Sequence, residues 1–406
     1  MYTVSSTAAE QQPALPALGS ADRITSGTDF NPAISVILDG VYYYDNRGGD
    51  GVEGMAGFDA HDDGDEHAHG EFGRGFNLRE TELTLSGSVD AYFDALATFA
   101  LTSSSAEVEE AYLRTRRLPA GLQLKAGRFL SGIGYINEQH PHSWQFVDRP
   151  LPYEMLFGDH GLQENGVQLT WLPQTPMYTR LGVELLQGQG EGLRGEAGEN
   201  DSGPSLVTAF AKIAPDLGFD HALQVGVFGG YQDIDAHTEH TSGRMEDWDG
   251  RAWFAGTDWV YKYDAGRPHG RGDWLVQAEY MLRERRYDYL NVANGGAVLN
   301  DERRSDRQDG LYAQAVYGFA PRWQAGLRYE GLGFTNRIGG VSEEASHRAT
   351  AMVTFLPTEF SRLRLQFARA RLADDDHGVG GHATTYANQV YLQYQVSLGA
   401  HGAHRF

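Results

Sequence analysis

Cysteine is absent from the 406 residues, and no apolar run approaches the roughly 18 to 20 residues that a membrane-spanning helix needs. Positive charge is scarce too, with 33 Lys and Arg against 55 Asp and Glu. The first absence removes disulfides and thiolate metal ligands from consideration. The second excludes a helical membrane protein. The third leaves a formal charge of −22, which argues against nucleic acid as a partner and suits a cation-attracting surface. Motifs of catalysis are missing as well: there is no GxSxG, no HExxH and no phosphate-binding glycine loop, so no enzyme is expected. The opening "MYTVSSTAAEQQPALPALGS" lacks the basic start and apolar core of an export signal, so an exported chain would carry this numbering after processing.

What is abundant points to one architecture. Glycine reaches 51 and aromatics 12%, while helical periodicity is nearly absent. From Asn31 onward, period-two alternation recurs in segments of about ten residues separated by Gly, Pro and Asp turns, the pattern of transmembrane strands. In "NGVQLTWLP", Val167, Leu169 and Trp171 alternate with Gln168 and Thr170. In "DWLVQAEYMLRERR", Trp274, Val276, Ala278, Tyr280 and Leu282 oppose Gln277, Glu279, Arg283 and Arg285. Sixteen such segments are expected: 33–45, 76–88, 90–102, 107–117, 121–130, 165–172, 177–188, 204–213, 221–232, 250–263, 272–287, 308–319, 322–334, 347–356, 359–370 and 386–399. An even count of this size fits a barrel wide enough for an aqueous channel.

The connections support this reading. Short, Pro-bearing turns such as "LPAG" (118–121), "LPQTP" (172–176), "APR" (320–322) and "LPTE" (356–359) fall at every second link, with "DAGRPHGRG" (264–272) as the long exception. The other parity collects long stretches at 46–75, 131–164, 189–203, 233–249, 288–307, 335–346 and 371–385, with a tight link near Ser103 to Ser105. A soluble β-sandwich also alternates, but it has no need of the aromatics near strand ends (Tyr42, Tyr44, Trp171, Tyr280, Trp323, Tyr329), which read as interfacial girdles. The expected fold is therefore all-β: a 16-stranded antiparallel transmembrane barrel over 31–406, with short periplasmic turns, long external loops and a flexible periplasmic lead-in at 1–30. Thirty residues cannot form the plug of a TonB-dependent receptor, whose barrel also needs about 22 strands.

"LKAGRFLSGIGYINEQHPHSWQFVDRPLPY", preceded by "NLRETELTLSGSVDAYFDALATFAL" and "VEEAYLRTRRLPAGLQ", resembles the phosphate-selective-porin-like family of outer-membrane proteins, nearest to the branch described as zinc-regulated. The resemblance is dense from about Phe30 to Trp171. It implies a barrel that is often a homotrimer, in the outer membrane of a Gram-negative-type bacterium, with a third external loop folded inward to narrow the pore. Here that loop is 131–164.

Within it, the candidate constriction residues are Glu138, His140, His142, Trp144, Asp148 and Arg149. Pro141 stiffens the HPH unit, and Trp144 with Phe146 is placed to anchor it. The inward parity assigns lumen charges to Glu80, Glu82, Glu110, Arg114, Arg116, Lys125, Glu279, Arg283, Arg328 and Arg364, a mixture of signs unlike the basic ladder of a phosphate pore. Eleven of fifteen histidines fall in or beside expected external loops. "HDDGDEHAH" offers His61, Asp63, Asp65, His67 and His69 to one ion, with His237 and His240 and then His377 and His382 as weaker repeats; imidazole with carboxylate suits zinc. The expected function is passive diffusion of small hydrophilic solutes or ions, with loops that concentrate divalent metal. An anion or phosphate-type porin and a barrel-anchored surface metal-binding protein without transport are the alternatives. No cofactor is required beyond weakly bound zinc. The partners are outer-membrane lipid and small solutes or divalent cations.

Overall fold

The computed structural model describes residues 32–49, 51–52, 55, 72–102, 105–195, 197, 200, 202–240, 243–338, 341–373 and 384–399. Alternating side chains close the chain into a barrel whose sixteen staves are β1 (Ala33–Asp45), β2 (Gly75–Ser88), β3 (Phe93–Leu101), β4 (Ala106–Thr115), β5 (Leu122–Leu130), β6 (Gln163–Trp171), β7 (Tyr178–Leu186), β8 (Leu206–Ala214), β9 (His221–Glu239), β10 (Met245–Tyr263), β11 (Trp274–Val292), β12 (Val298–Ala320), β13 (Trp323–Leu332), β16 (Ser346–Thr358), β17 (Ser361–Ala373) and β18 (Thr384–Gly399). The two-residue strands β14 (Arg337–Ile338) and β15 (Val341–Ser342) sit in a loop above the wall. Every neighbouring pair is antiparallel, and β1 closes the ring on β18, from Ser35 opposite Gly399 to Asp45 opposite Gln389. Closure leaves no unpaired edge, which a bilayer would not tolerate.

Along β1, Ser35, Ile37, Asp39, Val41, Tyr43 and Asp45 are buried inside, while Ile34, Leu38, Tyr42 and Tyr44 are exposed outside. The same phase runs round the ring and gives an outer belt of Leu, Val and aromatic side chains. Trp274 stacks on Tyr317 at 4.5 Å and Trp323 on Phe355 at 4.7 Å at the periplasmic ends of their strands; Tyr42 meets Phe76 at 5.1 Å near the other end. The apolar belt and the fold together place the barrel in an outer membrane.

Two expected external loops turn out to be strand. The segments 233–249 and 288–307 are largely upward extensions of β9 to β12, which run 19, 19, 19 and 23 residues, β9 ending at Glu239, β10 starting at Met245, and β11 and β12 separated only by 293–297. Residues 233–239 of β9 rise past the end of β8, and 298–309 of β12 past the end of β13. Their outward residues are charged (Asp233, Asp235, Arg251, Arg286, Asp288, Arg303), so the alternation loses its apolar phase once the wall clears the hydrocarbon. By contrast β3 to β8 have 9 or 10 residues each, close to the roughly 9 to 11 that a tilted strand needs to span. The wall is tall on one side and low on the other.

The core lies inside the ring. Phe129, Ile133, Ile136, Tyr153, Leu156, Leu162 and Tyr312 are fully buried there, and most of them belong to the connection 131–162 between β5 and β6.

Candidate functional site: the third external loop inside the barrel

This connection, the third external loop, enters the lumen because strands on several sides of the wall present it with polar partners. At its base, Asn137 donates to the carbonyls of Ser131 and Leu162 and accepts from the Leu162 amide, tying the two ends together. The first residues then dock on Glu184 of β7, which accepts from Ser131 Oγ and from the Gly132 amide at 2.8 Å. Across the lumen, Glu279 of β11 accepts from the amides of Tyr135 and Ile136, both at 3.0 Å, from Tyr153 Oη at 2.7 Å and from Tyr312 Oη. Gly134 makes that close approach possible: its φ is +57°, and an added Cβ would collide with Tyr153 Oη and Glu279 Oε2.

Glu138 swings to the low wall, where Arg180 chelates it at 2.9 and 3.0 Å and Lys212 donates at 2.7 Å. Pro141 starts a short 3₁₀ turn, Pro141–Ser143, that presents His140 and His142 with rings stacked at 5.8 Å. His140 Nε2 lies 2.9 Å from Glu110, and its Nδ1 lies 3.4 Å from Glu109 and 3.8 Å from Glu82. His142 Nδ1 meets the same Glu82 oxygen at 2.7 Å. Burial works against a charged imidazole, yet Glu109, Glu110 and Glu82 outweigh it and push His140 well above its ordinary value.

Beyond the turn the loop is gripped by guanidinium groups. Trp144 is sandwiched between Arg79 and Arg149 at 5.0 and 4.8 Å, and its carbonyl accepts from Arg362 and Arg364, each at 3.1 Å. Phe146 packs on Val316 and Met352. Asp148 is bound by Arg328 at 2.7 Å and Arg348 at 2.6 Å. Although burial opposes its charge, these two cations hold the carboxyl well below the usual carboxylate range. Glu330 bridges the same two arginines and accepts from the Leu151 amide at 2.8 Å, at the start of α1 (Leu151–Phe157). Burial and the nearby Glu279 push the Tyr153 phenol well above its usual value, so it remains a donor. Arg283 closes the circuit on the carbonyl of Leu156.

A loop held this way fills one part of the lumen more than another. Lumen groups of β11 to β17 are sealed, with Glu279 and Glu330 at 0% exposure. Some charged groups of the low wall keep contact with water, the side chains of Asp94, Arg114 and Arg180 being 30%, 29% and 16% exposed, and so does His140 of the loop at 15%, whereas Glu184 and Lys212 of the same wall are sealed. The open sector is thus lined by both signs of charge.

No family model matches the chain. Over 365 residues it is 34% identical to an uncharacterized protein of Aquifex aeolicus (strain VF5), a match covering 84% of this chain and 72% of that one. The chain belongs to that protein's family. In fold it is similar to the outer membrane channel DcaP of Acinetobacter baumannii (TM-score 0.55, 12% identity, 91% of this chain and 96% of that one). It is also similar to an anion-selective porin from Comamonas acidovorans (TM-score 0.53, 11%, 91% and 99%) and to the trimer form of OmpT, an outer membrane protein of Vibrio cholerae (TM-score 0.52, 12%, 91% and 99%). In fold this member of the family is a 16-stranded outer-membrane β-barrel.

Nine of the ten lumen charges expected from parity point inward; Arg116 instead lies past the end of β4, exposed and bonded to the Asp90 carbonyl and to Asp94, and all six expected constriction residues lie in the inserted loop. One expected grouping does not form: Glu138 belongs to Arg180 and Lys212, and the carboxylates beside the two histidines are Glu82, Glu109 and Glu110. His237 pairs with Asp247 on the outer face of the tall wall and His240 with Glu246 and Arg244, so the two imidazoles are engaged by different groups. His61, Asp63, Asp65, His67, His69, His377 and His382 lie outside the described residues, as does the lead-in. Sequence reasoning missed Glu109, Arg180, Glu184, Lys212 and Arg348. Arg180 and Glu184 share the inward parity of "YTRLGVELL", a signal that was available; Glu109 sits at a bulge between Thr98 and Phe99 of the facing strand, which shifts the parity and hides it.

Proposed function

We propose that the barrel is a narrow outer-membrane channel for passive diffusion of small hydrophilic solutes or ions. The observation that carries this reading is the third external loop, drawn into the lumen by Glu184, Glu279, Glu330, Arg328, Arg348 and Arg364 while the low wall stays partly wet. A chain that needed only an anchor would have no use for a pore-narrowing element held by buried charged contacts. The mixture of signs along the wet sector favours small polar solutes and ions of either charge over a dedicated phosphate path. External loops rich in His and Asp, His61 to His69 above all, concentrate divalent metal such as zinc at the mouth, in keeping with the zinc-regulated branch that the sequence resembles. A homotrimer is the expected assembly.

Proteoliposome swelling tests the reading. Vesicles carrying the barrel should swell in small sugars and amino acids and fail to swell in large oligosaccharides, and reversal potentials in asymmetric salt should show weak selectivity. Strong block by phosphate would favour the anion-type porin. No swelling in any solute would favour a surface anchor for metal-binding loops.

A further inference from the structure

The group around His140 has the organisation of a metal site rather than of a simple ion pair. Among the described residues, Glu82, Glu109 and His140 bring one ligand atom each to within 4.8 Å of one another. His140 uses its two nitrogens differently. Nε2 lies 2.9 Å from Glu110 Oε2, a contact that an N–H donor satisfies, which leaves Nδ1, facing Glu109 and Glu82, as the nitrogen that would ligate an ion once its proton is displaced. A carboxylate behind the imidazole, fixing its tautomer, is the arrangement that supports histidine ligands in metal sites. Glu82 is steadied in the same way by His142, and Lys125 faces Glu110 from the next strand.

Glu109 supplies an independent observation. Its Oε2 is sealed from solvent and accepts no hydrogen bond, an arrangement that costs free energy unless a cation completes it. Bond lengths of about 2.1 Å in a tetrahedral site separate ligand atoms by about 3.4 Å. The two imidazole-to-carboxylate distances, 3.4 and 3.8 Å, already approach that value, so closing the site asks for small rotations of two glutamate side chains.

We propose that Glu82, Glu109 and His140 form a divalent-cation site of zinc type inside the barrel, with Glu110 and His142 positioning the ligands and the fourth coordination position open to the lumen. The site is separate from the external His61 to His69 cluster and stands whether or not the barrel conducts. A bound ion would bridge β2 and β4 to the inserted loop, replacing the two ion-pair contacts of His140 Nδ1 with Glu109 and Glu82 by metal–ligand bonds.

Calorimetric titration of the refolded full-length barrel with zinc chloride, with magnesium chloride as the control, tests this. A saturable zinc event should persist after deletion of residues 61–69 and weaken by about tenfold or more in Glu109→Gln and in His140→Gln. Glu109→Gln keeps the side chain's size and gives up only the 3.4 Å ion pair with His140, so that variant decides even if His140→Gln fails to fold, as judged by heat-modifiable gel migration. Loss of all zinc binding on deleting 61–69, or equal binding by wild type and Glu109→Gln, would overturn the proposal.

Discussion

Asp148 carries the heaviest load of any single side chain in the inserted loop, since it neutralises two arginines buried with it. Replacing it by Asn leaves Arg328 and Arg348 facing one carboxylate, Glu330, and the loss of one member of a buried ion network costs about 3–5 kcal/mol. Asp148→Asn should therefore lower the midpoint of urea unfolding in detergent markedly. Its titration has a definite sign. Because the folded pKa is depressed, the stabilisation is complete above the unfolded value of about 3.9 and is lost as pH falls through the lower folded value. The loop should thus stay docked from neutral pH to about pH 4, and channel noise should rise only under stronger acid. Gly134 tests the loop from the other side. In Gly134→Ala, left-handed backbone costs about 1–2 kcal/mol before the collision with Tyr153 and Glu279 is counted, and chymotryptic cleavage inside 131–162, at Tyr135, Trp144 or Phe146, should appear where the wild type resists it.

At the level of elements, the two kinds of strand should respond differently to charge. Leu365 lies on the outer face of β17 at the depth of the apolar belt, and Leu365→Arg should cost about 2–4 kcal/mol in vesicle refolding titrations. Arg303 lies on the outer face of β12 where the wall has risen past β13, so Arg303→Ala should change stability by less than about 0.5 kcal/mol. That contrast also explains what could be read in advance. Strands inside the membrane advertised themselves through apolar alternation, and their inward parity located Glu80, Glu82, Glu110 and Arg328 correctly. The upper halves of β9 to β12 did not, because their outer face is charged while apolar side chains such as Ile234, Trp248 and Tyr289 turn inward, the reverse of the membrane phase, and the Gly and Asp content mimics loop. Their strand character comes from pairing with one another, such as Asp249 opposite Asp235 and Asp288, which no single segment encodes.

For the molecule as a whole, the sequence pointed to the right loop but not to its partners. Its length, its Pro141 turn and its aromatic anchors marked 131–162 as the inserted element. Which wall residue meets which loop residue depends on strand stagger around the ring, so Glu138 was grouped with the histidines when the barrel delivers it to Arg180 and Lys212. The same closure assembles Glu82, Glu109 and His140 from β2, β4 and the loop, a set far apart in the chain. The resulting account is of a barrel whose permeability is set by how firmly one loop is held. Single-channel recording in planar bilayers addresses it directly, comparing wild type with Glu279→Gln, which places a donor where the amides of Tyr135 and Ile136 now donate. The account predicts small discrete steps for the wild type and severalfold larger or noisier steps for the variant. Identical steps from both, or no conductance from either, would contradict it.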